Sequence, residues 1–132
     1  MIEAESVPCE VSKKKVIGVL PCSGSCNVGM MTTRCVIDMI DVHDNINFVC
    51  ALGLPLGIPN IINNARKSEY HIALNGCEIE CSTKALKSAG IEADTVIVVT
   101  KDLKIKKNKQ LRSQEGQKEL EALVEELINK VM

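Results

Sequence analysis

Two cysteines four residues apart carry the clearest chemical signal in the chain, within Asn75-Gly76-Cys77-Glu78-Ile79-Glu80-Cys81. An apolar run, His71 to Leu74, reads as a buried strand before them, and a helical pattern over 82–89 follows and stops at Gly90. If Cys77 opens that helix, Cys81 lies one turn later on the same face. A helix N-terminus favours negative charge, and the thiolate is the form of cysteine that binds metals and attacks electrophiles. The stretch therefore points to thiolate chemistry, either metal binding or nucleophilic work.

Composition narrows the setting. A chain of 132 residues with 45% hydrophobic content fits one domain with a real core. Phe48 and Tyr70 are its aromatic residues, so that core must be aliphatic. A formal net charge of −1 argues against nucleic acid, whose binding rests on neutralising phosphates. The opening residues lack the basic region and apolar run of a secretory signal, and no apolar run is long enough for a bilayer. A cytoplasmic protein with no membrane partner is expected. In a reducing compartment seven cysteines point to metal or redox work, and the odd number cannot form a fully paired disulfide framework.

The elements that must position these thiols alternate. Residues 1–12 show no periodicity and are expected as a flexible lead-in, leaving 13–132 as a single domain. Val16 to Leu20 reads as a strand buried on both faces, followed by a turn rich in Gly and by a helix from about 30 to 41 with Met31, Cys35, Val36, Met39 and Ile40 inward. Asn47 to Ala51 reads as a second strand. A Gly/Pro-rich turn and a helix over 60–67 come next, with Pro59 in its first turn. His71 to Leu74 and the helix over 82–89 form the third unit. Thr95 to Val99 is the fourth strand, and a final amphipathic helix carries Leu120, Val124 and Ile128 on its stripe, with Ser113 as the expected N-cap. Four such units imply an α/β fold: three layers, with a four-stranded parallel sheet covered by helices on both faces, in the flavodoxin-like order 2-1-3-4. Ligands of such sheets bind beyond the carboxyl ends of the strands.

That rule draws the cysteines together. Cys22 follows strand 1, Cys50 ends strand 2, Cys77 follows strand 3, Cys81 lies just beyond it, and Cys26 shares the loop of Cys22. Neighbouring strands about 4.8 Å apart allow thiols leaving their ends to meet around one ion. Cys35, on an inward helical stripe, reads as a core residue, and Cys9 as incidental. Tetrahedral all-thiolate coordination points to zinc or, alternatively, to an iron–sulfur cluster, and spacing alone does not separate them.

Four segments carry a resemblance. Pro21-Cys22-Ser23-Gly24 with Asn27-Val28-Gly29, Cys50-Ala51-Leu52-Gly53, the Asn75 to Cys81 stretch, and Thr100 to Lys107 resemble, in order, the DGC-domain family of zinc-binding proteins. The resemblance implies Cys22, Cys50, Cys77 and Cys81 as ligands. Asn75 stands where the family's Asp-Gly-Cys motif has Asp, and Cys26 is an extra thiol. The family implies no particular reaction.

Other motifs fall away. Gly24 and Gly29 have P-loop spacing, but Met30 and Met31 replace its Lys and the adjoining residue, leaving at most backbone amides for a small anion. Val28 stands where a phosphatase-type cysteine loop needs Arg. His43 and His71 fall at the opposite edge of the sheet and read as surface or capping residues. The lysines from 101 to 109 read as a solvated loop able to guide an anion toward the cysteines. The sequence thus describes a small zinc protein whose expected partners are a metal ion and a small thiol or anion. The rival is a thiol-redox or sulfur-transfer enzyme with Cys22 or Cys26 as nucleophile and Cys77 or Cys81 resolving.

Overall fold

A computed structural model describes residues 15–131. The expected lead-in over 1–12 and Cys9 lie outside the described residues. Strands β1 (Ile17–Pro21), β2 (Ile46–Phe48), β3 (Tyr70–Asn75) and β4 (Thr95–Val98) form one parallel sheet in the order β2-β1-β3-β4, as expected. Helices α1 (Asn27–Val42), α2 (Pro59–Arg66) and α3 (Cys81–Ser88) make the crossovers. A single turn, α4 (Val99–Asp102), runs directly off β4, and α5 (Gln117–Val131) closes the chain.

The central strand shows why the layers form. Every residue of β1 is buried, and strand alternation sends Ile17 and Val19 to one face and Leu20 to the other. On the first face Ile72, Leu74 and Ile97 join Met31, Cys35 and Val36 of α1 and Leu120, Val124 and Ile128 of α5. On the second, Ala73 packs with Leu54, Ala65 of α2, and Ala85 and Leu86 of α3. Truncating one of the large aliphatic residues to Ala in such a core costs about 2–5 kcal/mol.

Several boundaries differ from expectation. Strand β2 ends at Phe48 rather than Ala51, as befits a half-exposed edge strand, although Val49 N still donates to Val19 O at 3.1 Å. Ile40 faces solvent at 41% exposure, because α1 turns that side away from the sheet. Ser113 does not cap α5, which starts four residues later; its hydroxyl accepts from Glu115 N within a turn. The turn α4 was not expected: Asp102 reaches back to accept the Val98 N–H at 2.9 Å, ending the strand pattern one residue early.

Candidate metal centre

The carboxyl end of the sheet is built from close backbone contacts. Cys22 continues the ladder beyond β1, with its N–H donated to Leu74 O at 3.1 Å, and its Sγ accepts the Gly76 N–H at 3.2 Å. That bond needs β3's exit loop pressed against the start of α1. A Cβ on Gly76 would stand 2.8 Å from Gly29 N, and one on Gly29 would stand 2.5 Å from Gly24 O. Glycine is required at both places because no side chain fits between the backbones. Cys26 is the N-cap of α1 and accepts the Gly29 N–H through Sγ at 3.4 Å, the role usually taken by Ser, Thr, Asp or Asn.

The second pair of thiols departs from the expected arrangement. Helix α3 begins at Cys81, so Cys77 lies in the turn before it and not one helical turn below Cys81. The helix's own N-cap position, Glu80, has left-handed backbone with φ 57° and no capping side chain. Asn75 does the capping instead from the end of β3: Oδ1 accepts from Ser82 N at 2.8 Å and Thr83 N at 3.4 Å, while Nδ2 donates to Thr83 Oγ1. Asn75 is 0% exposed, so these bonds satisfy an amide that would otherwise be buried unpaired.

A cavity of about 160 Å³ is lined by Cys22, Cys26, Cys77 and Cys81 together. Cys50 is exposed and does not line it. The loop of Cys50 does border an adjoining cavity of about 400 Å³, where Ala51 and Leu52 face Cys22 and Cys81. Cys22 and Cys81 therefore stand between the two spaces. All six described cysteines are free thiols. Cys35 is 0% exposed, as expected for a core residue, and burial beside Glu121 and Asp38 pushes its thiol up to about 12.

The lysine segment is not a loose loop. Asn27 holds it with three bonds: its side chain donates to Lys106 O at 2.8 Å and accepts from Asn108 N at 2.6 Å, and its backbone N–H donates to Asn108 O. Held this way, Lys107 Nζ sits 3.6 Å from Cys77 Sγ and Lys109 Nζ reaches Ser25 O. Ser23, Glu80 and Lys104 are the non-glycine residues with positive φ among the described residues. Two adjoin cysteines and the third begins the lysine strap, so the unfavourable backbone is gathered at this end of the sheet. The histidines are elsewhere. His43 caps the end of α1 and pairs with Glu125, and His71 bonds Ala65 O.

The donor set is soft and suits zinc chemically. Among the described residues, however, no three Cys, His, Asp or Glu side chains already stand together as a metal site. The sequence matches the DGC domain over residues 18–127. The chain belongs to the DGC-domain family. Comparison with curated proteins finds no match, and comparison with solved structures finds none. Cys22, Cys26, Cys50, Cys77 and Cys81 all fall within the DGC-domain span. Asn75, at the position of the motif's Asp, holds a helix start in this DGC-domain chain, and local sequence gave no sign of that because it acts across seven residues. Asn27 and Lys107 were equally silent, since their partners lie 81 and 30 residues away.

Proposed function

We propose that this DGC-domain chain is a small metal-binding protein that holds one zinc ion through thiolates at the carboxyl edge of its sheet, in a reducing compartment. The observation that supports it most is the lining of one small cavity by Cys22, Cys77 and Cys81, the three thiols on which the geometry and the family resemblance agree. Cys50 is assigned the fourth position, reached when its loop closes over the space it shares with Cys22 and Cys81. Cys26 is assigned to the cap of α1, since its sulfur already caps that helix by accepting the Gly29 N–H and the residue is 5% exposed, whereas Cys22 is half-buried. Four thiolates around Zn²⁺ carry a formal charge of −2. The Gly76 N–H on Cys22 and the Lys107 ammonium beside Cys77 offset part of it.

Metal analysis and optical spectra of protein purified without oxygen test the reading. A colourless protein with about one zinc per chain is expected; a coloured, iron-containing one would overturn it. Cys50→Ser is expected to lower zinc content, whereas Cys26→Ser keeps it, because serine is itself a good N-cap. The reverse outcome would exchange the two assignments. A thiol-transfer reading, with Cys22 or Cys26 as nucleophile and Cys77 or Cys81 resolving, draws on one contact, the ammonium of Lys107 placed 3.6 Å from the accessible sulfur of Cys77. Turnover of disulfide or persulfide substrates, lost in Cys77→Ala, would support it.

A further inference from the structure

A larger cavity, about 520 Å³, opens on the other side of Cys77. Its volume falls within the roughly 300–1,000 Å³ of small-molecule sites. Among the described residues, Lys104, Lys106 and Lys107 stand around it against one carboxylate, Glu78, a surplus of positive charge in that lining. Ile79 and Ile105 add apolar wall. Thr100 also lines it, and its buried hydroxyl has no hydrogen-bond partner among the described residues. Cys77, Ile79 and Lys107 form the border with the four-cysteine cavity. The lysines keep their places because Asn27 pins the strap that carries them.

A site with ammonium groups and aliphatic wall, but no arginine fork or aromatic platform in its lining, suits a short-chain acid better than a nucleotide. We propose that this cavity binds a small organic anion, its acidic group among Lys104, Lys106 and Lys107 and its aliphatic body against Ile79 and Ile105. Bound there, the anion competes with Cys77 for the ammonium of Lys107, 3.6 Å from that sulfur. This inference rests on the zinc reading only in placing a ligand beside a proposed metal ligand; the binding itself requires no metal.

The test is an amide NMR titration of the full-length protein as purified, with zinc measured on the same sample. Butyrate, its neutral methyl ester and inorganic phosphate are the probes. Butyrate is expected to shift the amides of Thr100 and Lys104 to Lys107 saturably in low salt, with the ester inert and phosphate weaker. A Lys104→Ala/Lys106→Ala double variant with an otherwise native spectrum is expected to bind butyrate about 2- to 30-fold more weakly, which is what two screened charge contacts amount to. No saturable shift, an equal response to the ester or to phosphate, or unaltered affinity in the double variant overturns the proposal. Zinc present without butyrate binding would refute this inference alone, and butyrate binding without zinc would refute the metal reading alone.

Discussion

Cys35 and Cys77 are the same residue in opposite surroundings. Cys35 is sealed in the face between α1 and α5 with Asp38 and Glu121 as charged neighbours, and its thiol is pushed up to about 12. Cys77 borders two cavities and has a lysine ammonium 3.6 Å from its sulfur. The first setting keeps the proton on sulfur and makes the side chain a small hydrophobe. The second leaves the sulfur reachable from two cavities and places a cation beside it. Thiol number alone therefore says little about chemistry; the groups that the fold places around each sulfur decide it.

The sharpest way to break this contrast is to remove one thiol from each setting. Cys22→Ser is expected to weaken zinc binding by more than the roughly 10–100-fold that outer partners of metal ligands command. Cys35→Ala is expected to leave zinc content unchanged and to cost stability of about 1 kcal/mol as a small buried hydrophobe. Metal titration and urea unfolding measure the two effects. Zinc loss in Cys35→Ala with the fold intact would end the distinction.

Next in size are changes to the scaffold that presents the open thiols. Asn75→Ala leaves Ser82 N and Thr83 without their partner at a fully buried position, and is expected to destabilise the protein by about 2–3 kcal/mol. Asn75→Asp keeps the acceptor and costs less. Gly76→Ala forces a Cβ against Gly29 N and is expected to cost about 1–3 kcal/mol while weakening the N–H bond to Cys22. Urea midpoints give the values. A neutral Gly76→Ala would mean that the two loops are not tightly apposed.

These positions also mark where reading from sequence succeeds. The parallel sheet and its order were legible because apolar runs such as Val16 to Leu20 and His71 to Leu74 are bounded by glycine-rich turns and helical stripes, which are local signals. The burial of Cys35 was legible from helical spacing with Met31, Val36 and Met39. Cys50 shows the limit: an edge strand that stops at Phe48 cannot be told from one that runs to Ala51, yet the thiol just beyond it is exposed and outside the lining of the four-cysteine cavity. Asn27 acts through partners that only the folded chain brings near, and Asn75 caps a helix that starts beyond its own exit loop, so nothing within a few residues of either announces its task.

The smallest expected effect sharpens the comparison from the closed side. Glu121 accepts from Gln117 Nε2 at 3.1 Å, and burial together with a hydrogen bond to Asp38 holds its carboxyl up at about 7. A group raised in the folded state contributes stability that is full below its unfolded value, 4.5, and is lost as pH rises through 7. The same sign applies to Cys35, whose contribution is full below 9.0 and lost toward 12. Glu121→Gln removes the first of these losses, so the variant is expected to gain on the parent by about 1 kcal/mol at pH 8, after allowance for solvent screening, and by nothing near pH 4. Urea unfolding of both proteins at the two pH values measures the difference. An equal gain at both would mean that the Glu121 carboxyl is not raised in the folded state, and Cys35 would then keep its proton through burial first and the repulsion of two ionised carboxylates second.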